Sequence, residues 1–249
     1  FTNGSGESKA ILKDFPEAKL VVEVPLGHEV GRMVGPELFE REYGVKDFVL
    51  CVGRIETRKN QLMLLKALED SDLTVVLAGG GFSYQPEYEM AVRAFKRKGR
   101  TIILDRVSQE MLSSAYAACR IHVLPSWYEL PGLVSLEAAA HGKNIVVTRT
   151  GTTGDYVGTK AFYCQPWDSD SINAAISAAF YAPVKEGLVE MAKSYTWDTA
   201  VDKTVSAYEN ILKGSSAEVG DVPQATPVGG CYDMSVDSKQ IETLIEQGE

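Results

Sequence analysis

Five short apolar runs alternate with helix-patterned stretches in the middle of this chain, and that alternation restricts its fold more than any other feature. The runs are "FVLCVG" (48–53), "LTVVLA" (73–78), "TIIL" (101–104), "RIHVLP" (120–125) and "NIVVT" (144–148). They are nearly continuous in apolar residues, as strands covered on both faces of a parallel sheet must be. Between them lie "NQLMLLKALED", "PEYEMAVRAFKRKG", "SQEMLSSAYAAC" and "LVSLEAAAHG". Leu62, Leu65 and Leu68 recur at helical spacing and mark a buried stripe. Ser108, followed by Met111, Leu112 and Ala115, reads as an N-cap with a core-facing row behind it. Strand and helix in turn imply βαβ units in a doubly wound α/β sheet. No internal repeat is visible.

The flanks are less regular. "KLVVEVPLG" (19–27) predicts one further strand closed by a glycine turn, and "SDSINAAISAAFYAP" and "WDTAVDKTVSAYENILK" predict two amphipathic helices. From Gly214 a Gly-, Pro- and Ser-rich stretch reads as a linker, and "SVDSKQIETLIEQGE" as a short helix or the start of another module. The chain opens at Phe1 without a methionine, as expected of a fragment or a processed chain, and "FTNGSGESKA" has no signal-peptide pattern. A net charge of −9 argues against a nucleic-acid partner. No apolar run approaches the roughly 20 residues that span a bilayer, and the scattered thiols fit a cytoplasmic setting. Cys51, Cys119, Cys164 and Cys231 are scattered, which fits reduced thiols better than a disulfide frame or a zinc site.

Two segments can carry chemistry. In "SWYELPGLVSLEAAAHG" (126–142) a strand ends, a loop holds Glu129, and Gly132 opens a helix. At the carboxyl edge of a parallel sheet that is where ligands bind. The amides of Gly132, Leu133 and Val134 lack helical partners there and favour a phosphate. Glu137 lies about 7.5 Å further along the helix axis, roughly one ribose beyond a bound diphosphate, and a carboxylate can accept from both hydroxyls of a diol. Two carboxylates flanking a phosphate suit polyhydroxy groups on either side of it, a nucleoside and a sugar. Taken alone, Glu137 fits a solvent-facing charge, and its place at a strand-to-helix transition favours the ligand role.

In "CVGRIETRKNQ" (51–61), Arg54, Arg58 and Lys59 follow a strand ending in Gly53. Cations at a helix N-terminus oppose its dipole and call for an anion between them; a basic loop paired locally with Glu56 is the simpler alternative. If this turn shares an edge with Gly132, Arg54 and Lys59 can neutralise a departing nucleoside diphosphate. "LAGGGFSY" (77–84) lacks the dinucleotide spacing and reads as a tight turn with close backbone approach. The loop after "TIIL" can offer main-chain groups of Val107 to a base. His28, His122 and His141 stand alone, His122 as a packed core residue, and the residues outline no metal site.

Together, "VGRIETRKN", "ILDRVSQEMLSSAYAACRIHVLPSWYELPGLVSLEAAAHG" and "WDTAVDKTVSAYENIL" resemble the retaining GT-B glycosyltransferases of family 4, over most of residues 15 to 213. The resemblance implies the C-terminal half of a GT-B fold. Residues 1–47 would be the interdomain crossover, 48–182 the Rossmann-like donor domain, 183–213 C-terminal helices and 214–249 a tail. It implies Arg54 and Lys59 on the donor diphosphate, with Gly53 at the turn. Glu137 would hold the ribose and Glu129 the transferred sugar. The amides of Gly132, Leu133 and Val134 would complete the phosphate site, and Val107 would touch the base. Glu129, Arg54 and Lys59 would be the catalytic set, with no metal or other cofactor. The partners implied are a nucleoside-diphosphate sugar and a glycan or lipid-linked acceptor held by an absent N-terminal domain, with peripheral membrane association of the whole protein. A non-catalytic nucleotide- or sugar-binding module, and a GT-B epimerase or phosphorylase, are the alternatives. Two departures from the family stand out: "SWYELPG" replaces a glycine-phenylalanine loop, and Asn60 stands where glycine is frequent.

Overall fold

The computed structural model of the chain describes residues 1–18, 20–29, 31–81 and 84–212. The linker and tail read at 214–249, with Cys231, lie outside the described residues. Six parallel strands form one sheet in the order β3-β2-β1-β4-β5-β6. They are β1 (Val49–Val52), β2 (Val75–Ala78), β3 (Thr101–Leu104), β4 (Ile121–Leu124), β5 (Asn144–Val147) and β6 (Phe162–Tyr163). The doubly wound α/β reading is borne out, and each of the five apolar runs contains a strand.

Both faces are covered because the strand residues alternate between two cores. Leu50 and Val52 of β1 point into one core with α2 (Glu37–Tyr43), α5 (Gln109–Ala118), α6 (Leu133–Ala140) and α9 (Leu188–Ser194). Val49 and Cys51 point into the other with α3 (Gln61–Ala67), α4 (Pro86–Ala94) and α8 (Ser169–Tyr181). Leu62, Leu65 and Leu68 are all buried, and each fully buried leucine contributes about 1.5–3 kcal/mol. The Ser108 side chain caps α5, accepting from the Met111 amide at 3.1 Å. Phe39 from the first segment and Leu188 and Ala192 from the last lie in the same core as β1, so three stretches of the chain close one layer.

Two expectations need correction. Residues 20–27 form no strand: Glu23 makes only an isolated bridge with Thr2. The sheet edges lie elsewhere, and this stretch is a strap. The Leu26 amide donates to Tyr156 Oη at 2.7 Å and the His28 amide to the Tyr195 carbonyl at 3.0 Å. The second helix stops at Ala94, short of its basic end, because Phe95 turns extended. Arg97 instead donates to the carbonyls of Leu68 and Ser71, anchoring the chain on the end of α3. The two-residue β6 carries too little pattern to be read, and α1 (Ser5–Asp14), α2, α7 (Thr153–Val157) and α9 were not anticipated from periodicity.

Candidate functional site

The strand order fixes where the site lies. From β1 the sheet runs one way through β2 and β3, then reverses through β4 beside β1. The loops leaving the carboxyl ends of β1 and β4 diverge at that switch point, where open α/β sheets form a crevice. These are the basic and the acidic turns of the sequence.

Hydrogen bonds hold the two turns together. The Trp127 amide donates to the Arg58 carbonyl at 2.9 Å. Asn60 Nδ2 reaches the carbonyls of Pro125 at 3.0 Å and Pro166 at 2.7 Å, tying three loops to one side chain. Asn60 is left-handed, with φ of 63°, a conformation that asparagine tolerates better than most residues, and its side chain adds the two bonds. Gly79 supplies the close approach read from its glycine run, since a Cβ there would lie 2.5 Å from the Gly53 carbonyl oxygen.

Glu129 is buried and its Oε1 takes Lys59 Nζ at 2.6 Å and an Arg58 Nη at 3.2 Å. Lys59 is also buried. Arg58 further bonds the Tyr128 carbonyl and Glu56. Arg54 is exposed, pairs with Glu56 at 3.3 Å and lies over the Tyr84 ring. The sequence therefore underrated Arg58: the cation beside Lys59 on Glu129 is Arg58, while Arg54 makes the local Glu56 pair foreseen as the simpler alternative. Nothing in the spacing separates these two arginines.

Gly132 is the left-handed N-cap of α6, and no side chain caps that helix. Among the described residues, the amides of Gly132, Leu133 and Val134 donate to no protein group. Further along α6, Glu137 Oε2 accepts from Tyr116 Oη at 2.8 Å. Burial, with Glu137 beside it, holds the Tyr116 phenol well above its ordinary pKa, so it stays a donor to the carboxylate. Glu137 lines a cleft of about 650 Å³ with Leu133, Tyr116, Ser113, Gln109 and Glu110. Its other wall is the strap, through Gly27, His28, Glu29 and Arg32. Val107 is half-buried against the core just ahead of Gln109; the cleft is lined by side chains two and three positions beyond it.

Beneath the site the ionisable groups are held neutral. Burial pushes the Cys51 thiol up to about 12, and burial together with Lys59 takes His122 down to about 3. Cys119 and Cys164 are buried free thiols like Cys51. Among the described residues no group of three His, Cys, Asp or Glu converges as metal ligands would, and no helix is long and apolar enough to cross a membrane.

The family model for glycosyl transferases group 1 matches residues 39–193. An O-antigen chain mannosyltransferase B of Escherichia coli is 28% identical over 187 residues, covering 70% of this chain and 49% of that protein. An uncharacterized glycosyltransferase of Methanocaldococcus jannaschii is 29% identical over 190 residues, 69% of this chain and 47% of that one. The chain thus spans about half the length of these curated relatives. Among solved structures, Anabaena HepE with UDP and glucose superposes with a TM-score of 0.71 at 18% identity, over 85% of this chain and 62% of that one. Sucrose-phosphate synthase of Thermosynechococcus elongatus gives 0.68 at 20%, over 85% and 58%. At such identities the structural likeness establishes the fold alone.

Proposed function

The chain belongs to the glycosyl transferases group 1 family, and on that premise we propose that it is the nucleotide-sugar-binding half of a retaining, family 4 glycosyltransferase. The whole enzyme moves a sugar from a nucleoside-diphosphate sugar to a glycan or lipid-linked acceptor. The observation that carries this reading is the meeting of the basic and acidic turns at the switch point, joined through Lys59 and Glu129. A relative named as a mannosyltransferase and a neighbour bound to UDP and glucose support it.

The donor diphosphate rests on the amides of Gly132, Leu133 and Val134, with Lys59, Arg54 and Arg58 around it and Gly53 at the turn. Lys59 has three N–H donors and Glu129 uses one, so it serves both carboxylate and phosphate. Glu137 holds the ribose, Val107 the base through its backbone, and Glu129 the hydroxyls of the sugar. The acceptor oxygen bonds to the anomeric carbon on the face the phosphate leaves. The carbon–oxygen bond to phosphate breaks, and the acceptor's proton passes to the departing phosphate. These cations and amides neutralise the leaving group in place of a metal ion. The acceptor binds a second domain, at the cytoplasmic side of a membrane where it is lipid-linked, so the chain alone binds donor but transfers poorly.

Crystals soaked with UDP, GDP or ADP test the placement. The diphosphate is expected within hydrogen-bonding distance of the Gly132 to Val134 amides. A nucleotide bound elsewhere on the chain contradicts the reading.

A further inference from the structure

Two tryptophans from different loops stack at the carboxyl edge of the sheet, beside the Lys59–Glu129 pair. Trp127 lies in the loop after β4 and Trp167 in the loop after β6. Their ring centroids are 6.3 Å apart, with the planes 29° from parallel. Trp167 is 40% exposed and Trp127 is half-buried. One side chain of the basic turn sets this arrangement. Asn60 Nδ2 donates to the carbonyl of Pro125, two residues before Trp127, and to that of Pro166, next to Trp167. The Trp127 amide in turn donates to the Arg58 carbonyl at 2.9 Å. Two residue steps reach at most about 7 Å, so the backbone of Trp127 stays within that distance of Glu129, the carboxylate that holds Lys59. The rings are thus fixed relative to the proposed transfer site.

Such a pair suits one kind of ligand. An indole offers a rigid apolar face that costs little conformational entropy to fix. A pyranose has a matching face of C–H groups, with its hydroxyls directed around the rim. Polar groups flank the rings: Gln165 and Asp168 are exposed on either side of Trp167 in the chain, and Asp168 spends Oδ1 on the amides that open α8. A protein partner would call for a broader apolar surface than two rings set among polar side chains. The lining of the cleft beside Glu137 includes neither tryptophan, so the pair is separate from the ribose site.

We propose that Trp127 and Trp167 form a carbohydrate-binding platform that holds a sugar of the acceptor glycan beside the Glu129 turn. This rests on the glycosyltransferase reading above and adds to it an acceptor contact made by this half of the enzyme.

The chain has three tryptophans, and the third, Trp197, lines the Glu137 cleft and serves as an internal control. Indole N–H signals of the nitrogen-15-labelled chain, assigned through Trp127→Phe, Trp167→Phe and Trp197→Phe, are followed during titration with maltose, cellobiose and mannobiose. At least one disaccharide should shift the Trp127 and Trp167 signals saturably and leave that of Trp197 in place. Trp167→Ala, checked for native melting behaviour, should weaken that sugar by about tenfold. No saturable shift with any of the three sugars, a shift of Trp197 alone, or equal affinity in folded Trp167→Ala overturns the platform. Should the variant not fold, the titration of the native chain decides. Calorimetry with UDP, GDP and ADP reads the donor site separately: nucleotide binding without sugar shifts overturns the platform alone, and sugar shifts without nucleotide heat overturn the donor site and uphold the platform.

Discussion

Lys59 Nζ and Glu129 Oε1 lie 2.6 Å apart, joining the turn after β1 to the turn after β4 across 70 residues of sequence. Both side chains are nearly excluded from solvent. Removing one partner strands a buried charge, whereas removing both leaves an apolar gap that packing can fill. Lys59→Ala is therefore expected to lower unfolding free energy by about 1–3 kcal/mol, moderated by Arg58, which still reaches Glu129. The double variant Lys59→Met with Glu129→Leu should recover most of that stability in urea titrations and still bind no nucleotide.

The Glu129 loop is shaped by a close contact with Gly151. A Cβ at Gly151 would lie 2.0 Å from the Glu129 carbonyl oxygen, and φ there is 85°. Gly44 has a similar φ of 66° with nothing within 4 Å. Gly151→Ala should cost at least about 2 kcal/mol more than Gly44→Ala, through overpacking added to a shared backbone strain. Urea denaturation of the two variants measures the difference.

Asn60 combines a left-handed backbone with two side-chain bonds to Pro125 and Pro166. Asn60→Ala loses the bonds and keeps the backbone conformation that a Cβ resists. Asn60→Gly loses only the bonds. Both variants should be less stable than the native chain, Asn60→Ala more so by about 1 kcal/mol. Thermal melting ranks them, and a more stable alanine variant would refute the role assigned to this residue.

His122 makes stability depend on pH. Its folded pKa, about 3, lies below its ordinary 6.5, chiefly through burial. The unfolded chain therefore binds the proton more readily. The stabilisation is complete above pH 6.5 and falls by about 1.4 kcal/mol per pH unit as pH drops toward 3. Between pH 7.5 and pH 5 the native chain should lose about 2 kcal/mol more than His122→Leu, as measured by urea unfolding at both pH values. Parallel losses would contradict this.

Much of the scaffold was legible because continuous apolar runs such as "LTVVLA" leave few choices other than a two-sided sheet. The edges of that legibility are physical. "KLVVEVPLG" has the composition of a strand, but strand pairing needs a free sheet edge, and the residues that engage it, Thr2, Tyr156 and Tyr195, lie outside the sheet. β6 is too short to carry periodicity. Within the site, Glu129, Glu137 and Lys59 stand out through their spacing around a strand-to-helix turn. Arg58 does not, because choosing between it and Arg54 depends on which side of the turn faces β4. His28 reads as an isolated histidine in sequence; only the folded chain places it on the cleft that Glu137 also lines, more than 100 residues away.

The most direct measurement is calorimetric titration of UDP, GDP and ADP into the folded chain and into Glu137→Ala. At least one nucleotide should bind saturably, and Glu137→Ala should weaken it by about 1.5–3 kcal/mol, the range for hydrogen bonds to a charged group. No heat with any of the three, on protein shown to be folded, would contradict a donor site between the basic and acidic turns.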